Sequence, residues 1–269
     1  IHYLTLAGDR AYHSYYTIRA IQAYTEALDL LQANKADALI LASMHQKLGH
    51  AYTQRANADA AWREYIQALK LLKDQPGVPP EDLLCLYMHI AELPTRWLGW
   101  FDTWLDMQEV RTYIDEGLKL LEGHPPSGDQ ASFFTYQALW NIRQVKYVLP
   151  DQRAELAEHA LQSGLEALRI AEISNDTSAL WIALDALGFT YQKLHNYRDA
   201  HAIQHRRQTL QEMIRGREEL YDLYNNLGWT HEYIGEYAAA ASWFGRAWRI
   251  AQTMESPSML LTSMDGRLT

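Results

Sequence analysis

Between Asn225 and Ala251 the chain reads NNLGWTHEYIGEYAAAASWFGRAWRIA, with apolar positions recurring every three or four residues on both sides of a Gly-Glu step. That period predicts two helices, 221–234 and 237–254, joined by a turn at Gly235 and Glu236. Gly228, Ala240 and Ala247 let the two backbones approach closely, while Leu227, Tyr237 and Phe244 supply the bulk between them. Neither helix buries its apolar stripe alone, so the stretch is predicted to be one antiparallel helix hairpin.

The same pattern recurs. ALGFTYQKLHNYRDA places Leu187, Gly188, Tyr191, Tyr197 and Ala200 in matching positions, although Gln204 and Arg207 stand where the second helix carries Phe and Ala. KLGHAYTQRANADAAWREYIQAL carries Leu48, Gly49, Tyr52, Ala61, Tyr65 and Ala68, and LAGDRAYHSYYTIRAIQAYTEAL carries Ala7, Gly8, Tyr12, Ala20, Tyr24 and Ala27.

These small and aromatic positions resemble those of the tetratricopeptide repeat, whose units pair two helices through them. The spacing here is longer than that family's usual length of roughly 34 residues: Gly8 to Gly49 is 41 positions and Gly188 to Gly228 is 40. Gly49 to Gly188 spans 139 positions, where three steps of about 41 would use roughly 123. Two degenerate units therefore share the surplus, bracketed by loop segments near Pro76, Pro125 and Asn175.

The resemblance implies an all-α, right-handed superhelical solenoid of about six antiparallel hairpins, the two middle ones expanded. The units fall near 1–33, 34–75, 76–125, 126–174, 175–215 and 216–256, with a further helix starting over 257–269. Pro94 and Pro150 are expected to kink or end the first helix of each expanded unit. Two readings of the expansion stand: a longer turn between helices, or a middle region built as a binding surface.

Composition changes this picture little. A repeat array grows by adding neighbours, so 269 residues fit one continuous solenoid. No apolar run approaches the roughly 20 residues of a membrane span, and no cationic segment followed by an apolar one opens the chain. Cys85 is the lone cysteine, which excludes an internal disulfide and fits a reducing, cytoplasmic setting. A net charge of −9 argues against a nucleic-acid partner.

The opening IHYLTLAGDRAYHSYYTIRAIQAYTEALDLL is similar to the run that starts the repeat region of bacterial signal-transduction ATPases with numerous domains, including those linked to cyclase or transcription-activator modules. The matching residues include His2, Tyr3, Leu4, Gly8, Asp9, Arg10, Ala20, Ile21, Tyr24 and Ala27. With its start at Ile1 and an apolar segment after Ser256, the chain is expected to be a piece of a longer protein whose upstream domains carry the ATPase.

Signatures of catalysis are missing from the sequence. Gly-Lys does not occur, so no phosphate-binding loop is present, and neither a Gly-x-Ser-x-Gly elbow nor a His-Glu-x-x-His zinc motif appears. His201 and His205 are four apart on one helical face, a spacing that suits a transition metal. The local candidates for a third ligand are His195 and Asp199, and Arg206 and Arg207 oppose a bound cation. No metal and no cofactor are therefore expected. Glu218 and Glu219 sit beside Arg215 and Arg217 at a helix start, where they favour the dipole and local ion pairs.

Binding remains. In stacked helix pairs the first helix of each pair lines the concave side, and the faces turned away from the repeat glycines should line that groove. The candidates are Asp9, Tyr12, Gln46, His50, Asp185, Phe189, Gln192, Asn225, Trp229 and Glu232. This set holds aromatics and acceptors with little positive charge, unlike the Lys and Asn set of repeat adaptors that grip carboxylates. It suits a protein or peptide partner with a basic segment, or a sugar-like small ligand. A second candidate is RWLGWFDTWLDM, with Trp97, Trp100, Phe101 and Trp104. These rings either fill a wider gap between helices or form an exposed aromatic patch, with Trp100 and Trp104 sharing a face. Two functions follow: the sensor arm of a signalling ATPase, or a passive scaffold that recruits partners.

Overall fold

The structure, a computed structural model, describes residues 1–214, 216–254 and 259–260. Arg215 lies outside the described residues, as does the helix expected over 257–269 apart from Met259 and Leu260. Among the described residues every regular element is helical, and the helices pair as six hairpins in two compact units, Ile1–Leu120 and Leu121–Thr269.

The first unit holds α1 (His2–His13) with α2 (Thr17–Ala33), α3 (Ala38–Gln54) with α4 (Ala58–Leu72), and α5 (Pro80–Arg96) with α6 (Met107–Leu120). Helix starts follow local chemistry: Asp37 accepts from the Leu39 amide and Asn57 from the Ala60 amide, while Pro80 opens α5 where no amide hydrogen is needed. Within the hairpins, Gly8 faces the Tyr24 ring and Gly49 the Tyr65 ring, both buried, so the predicted small-against-aromatic seam is present.

The second unit holds α7 (Gly128–Gln144) with α8 (Pro150–Ser174), α9 (Thr177–Lys193) with α10 (Tyr197–Gln208), and α11 (Arg217–Tyr233) with α12 (Tyr237–Met254). Ser127 and Asp176 cap α7 and α9 through the Gln130 and Ala179 amides. Gly228 lies against Phe244, and Gly188 against Gln204, the polar replacement noted in the sequence.

The two expanded hairpins differ in cause. Pro94 lies inside α5, which ends two residues later at Arg96. From there to α6 the chain makes a short 3-10 turn, Leu98–Trp100, and an irregular connection held by Asp59, which accepts from the Asp102 amide and the Thr103 hydroxyl. In the second unit the extra length is α8 itself, 25 residues against 17 for α7. Pro150 does not interrupt α7, which stops at Gln144; it starts α8, where proline is accommodated.

One backbone detail recurs in four hairpins. Tyr15, Ala56, His195 and Gly235 each sit midway between paired helices with φ between 57° and 85°. Only Gly235 is the residue type suited to that left-handed conformation.

Candidate functional site

In the first unit the predicted groove residues on α1 and α3 are tied to neighbouring helices by residues outside the predicted set. Asp9 accepts from the Tyr24 hydroxyl at 2.8 Å and from Lys47 at 2.6 Å. Burial pushes its carboxyl up, but these two partners more than offset that and hold it below its ordinary range. Tyr12 packs in the apolar cluster around Leu28 and Leu48, and its carbonyl accepts from Gln54. Gln46 is half-buried on α3.

His50 meets a residue the sequence reading did not single out: His89 of α5, with the two Nε2 atoms 3.1 Å apart. Tyr65 stacks on the His89 ring at 5.0 Å, and Cys85 Sγ lies 3.6 Å from His89 Nε2. Burial lowers both imidazoles to about 4, helped at His50 by His89 and Lys47. Both rings are therefore neutral near pH 7, one donating to the other.

The second unit carries the richer polar site. Arg207 of α10 has a fully buried side chain, and its guanidinium reaches Asp185 of α9 at 3.0 Å, Asp222 of α11 at 2.7 Å and Glu219 of α11 at 3.4 Å. It also lies 4.3 Å over the Trp181 ring, whose indole N–H donates to Glu219 at 2.7 Å. Asn226 donates to both Asp185 and Asp222 at 3.1 Å. Removing one partner from such a buried ion network costs about 3–5 kcal/mol, because the remaining charge is left uncompensated.

Beside this acidic box lies a basic edge. Phe189 of α9 has the Arg143 guanidinium 4.8 Å from its ring centre and the Lys193 ammonium 5.1 Å away. Burial lowers Arg143 to about 10 while Asp185 and Asp222 pull it back up. Lys193 is lowered by burial and then by Arg143 and Lys146. The face formed by α7, α9 and α11 thus joins carboxylates at Asp185 and Asp222 to a cluster of cations around Phe189. The expectation of little positive charge fails here because α7 supplies Arg143, and the residue after it in the cluster, Lys146, follows the helix end.

The remaining candidates divide. Phe189 lies in this site, whereas Asp185 is buried, its carboxylate accepting from Arg207 and Asn226 rather than lining an open groove. Gln192 hydrogen-bonds Tyr233, whose ring stacks on Tyr197 at 4.6 Å. Trp229 packs edge-on to the buried Phe244 ring at 5.1 Å, and Glu232 is half-buried nearby on α11. Asn225 is a correction: it is buried, donating to the Tyr221 hydroxyl, which in turn donates to the Met259 carbonyl. Its neighbour Asn226 is the residue that faces Asp185, a shift of one position that helical rotation turns into a change of face.

The tryptophan cluster also divides. Trp97 and Trp100 are buried and stack on each other at 4.3 Å, with Arg96 against Trp97. Phe101 is half-buried, and Trp104 is 83% exposed. Trp100 and Trp104 share no helix face, because the helix that would carry both ends at Arg96.

No family model matches the chain, and no curated protein is significantly similar to it. Solved structures are similar in shape at low identity. The apo form of RapI is 15% identical, with 99% of this chain and 94% of that one covered and a TM-score of 0.64. TTC0263, a thermophilic TPR protein of Thermus thermophilus, is 14% identical over 85% of this chain and all of the other, with a TM-score of 0.60. The fold is a tetratricopeptide-repeat solenoid. A third TPR-like match is the Rap conjugation gene regulator of plasmid pLS20, solved in complex with the Phr* peptide: 13% identity, 94% of this chain, 73% of that one, TM-score 0.57. Long TPR units of about 40 residues, with glycine against an aromatic ring in the α1–α2, α3–α4 and α11–α12 hairpins, account for the spacing in the sequence.

Proposed function

We propose that this chain is a non-catalytic TPR module that binds a protein or peptide segment carrying an acidic group, on the α7–α9–α11 face of its second unit. The observation that supports it is Phe189, flanked by Arg143 and Lys193, next to a preorganised acidic box at Asp185 and Asp222. Burial lowers Lys193 first, and Arg143 and Lys146 add to it by repulsion, so an incoming carboxylate would offset the crowding of these cations. The peptide-bound Rap regulator of similar fold is consistent with such a partner. A sugar-like ligand has less support, since Tyr233 already spends its ring faces on Tyr197 and Trp229.

A random peptide array overlaid with the labelled chain tests this reading. Bound sequences should be enriched in Asp and Glu, and Lys193→Ala and Phe189→Ala should each abolish the enrichment. An array that binds nothing, or binds both variants as it binds the wild type, would refute it.

The opening run from Ile1 to Leu31 supports placing the module as the sensor arm of a multidomain signalling ATPase, where partner binding would bias an upstream nucleotide switch. The competing reading is a passive scaffold. Sequencing the gene upstream separates them: a Gly-x-x-x-x-Gly-Lys-Ser/Thr loop supports the sensor arm, and further repeats or a low-complexity linker refute it.

A further inference from the structure

α10 is poorly suited to hold its own place. Of its residues only Ala200, Gln204 and Arg207 are buried, so it has almost no apolar stripe with which to pack. On its other face His201 and His205 bring their Nε2 atoms within 3.0 Å, and His231 near the end of α11 completes a cluster in which one nitrogen from each ring lies within 4.8 Å of the others. The ring centres are 4.3, 4.7 and 5.4 Å apart.

The third ring is prepared as a ligand. His231 is 7% exposed, and its Nδ1 lies 2.7 Å from the Glu236 carboxylate. A carboxylate only accepts, so Nδ1 carries the proton and Nε2 keeps its lone pair. That Nε2 is buried and has no hydrogen-bond partner. A carboxylate behind a histidine whose opposite nitrogen is bare is the outer-shell arrangement of histidine metal sites.

The local objections from the sequence do not apply in three dimensions. Arg206 is drawn to Glu172 at 2.5 Å, and Arg207 is committed to the acidic box. The charged groups acting on His201 are His205, His231 and Glu236, with burial and the two histidines favouring its neutral form. Neither His195, which meets the Tyr197 hydroxyl, nor Asp199, which accepts from Asn196, is needed as third ligand.

We infer that His201, His205 and His231 form a binding site for a first-row transition metal ion such as Zn²⁺, which clamps α10 to α11 with a water in the open position. With Zn–N bonds of about 2.0–2.1 Å, tetrahedral ligands lie roughly 3.3 Å apart, close to the 3.0 Å between His201 and His205. One nitrogen of His231 already lies within 4.8 Å of the other two ligand atoms.

The test is a titration of the tag-free chain with Zn²⁺ against a chromophoric chelator, followed by thermal unfolding with and without the metal. The wild type should withdraw one equivalent of Zn²⁺ and unfold at a higher temperature when loaded. His231→Gln and the double variant His201→Gln/His205→Gln should lose both effects, Glu236→Gln should weaken uptake by about 10–100-fold, and the exposed control His159→Gln should behave as wild type. The double variant alters only half-exposed rings, so it keeps the test valid if His231→Gln misfolds. No uptake by the wild type, or one equivalent still bound by the double variant, overturns the assignment.

Discussion

Gly188 and Gly228 occupy the same place in successive first helices, so replacing each with alanine separates packing from backbone preference. Either substitution gains about 1 kcal/mol of helix propensity. At Gly228 the added Cβ would lie 2.5 Å from Cε1 and 2.6 Å from Cδ1 of Phe244, a ring with no exposed surface. Overpacking of a rigid buried ring costs about 1–3 kcal/mol. At Gly188 the Cβ would instead meet the carboxamide end of Gln204, whose Oε1 has no hydrogen-bond partner to lose if the side chain turns. Gly188→Ala is therefore expected to be neutral or slightly stabilising and Gly228→Ala destabilising, a separation of about 2 kcal/mol. That corresponds to about 4–8 °C between their unfolding midpoints, read by calorimetry and checked by urea denaturation. Equal midpoints, or a more stable Gly228→Ala, would show that the seam is not closed by the glycine–ring fit.

Other consequences can be measured directly. Unfolded histidines titrate near 6.5 whereas His50 and His89 are depressed to about 4, so the unfolded state takes up protons first as pH falls. Stability should be fully present above about pH 6.5 and drain away toward pH 4, with unfolding drawing in about two protons there; urea midpoints across that window check it, and a flat profile contradicts it. Iodide should quench a part of the tryptophan emission that Trp104→Phe removes and Trp100→Phe leaves in place, because Trp104 is 83% exposed and Trp100 8%. His195→Gly should raise the unfolding midpoint, since the left-handed cost of about 1–2 kcal/mol at φ 59° exceeds what glycine loses in the unfolded chain; no gain would place that cost elsewhere.

Three of the hairpins were legible because each is built from a local pattern, glycine on one helix and a ring roughly sixteen residues later, that helical periodicity alone turns into contact. What the sequence hid lies across hairpins. His231 joins His201 and His205 only because α11 packs on α10, and Arg143 reaches Phe189 from a different hairpin. Register set a second limit: Asn225 and Asn226 differ by one position, yet one is buried on Tyr221 and the other faces Asp185. The tryptophan segment misled for a third reason, since a helical wheel places Trp100 and Trp104 together only if the helix continues, and the chain leaves it at Arg96.

The buried guanidinium of Arg207 has a consequence for how the array keeps its order. Hairpins held by interchangeable apolar seams could be deleted, duplicated or docked out of turn with little loss, a characteristic failure of repeat chains. Here the α9–α10 hairpin brings a cation with one carboxylate, and the hairpin that follows must bring Asp222 and Glu219 to complete it. A hairpin lacking them would strand a charge away from water, at a cost no generic seam recovers. The network therefore favours, at that position, the hairpin that carries Asp222 and Glu219.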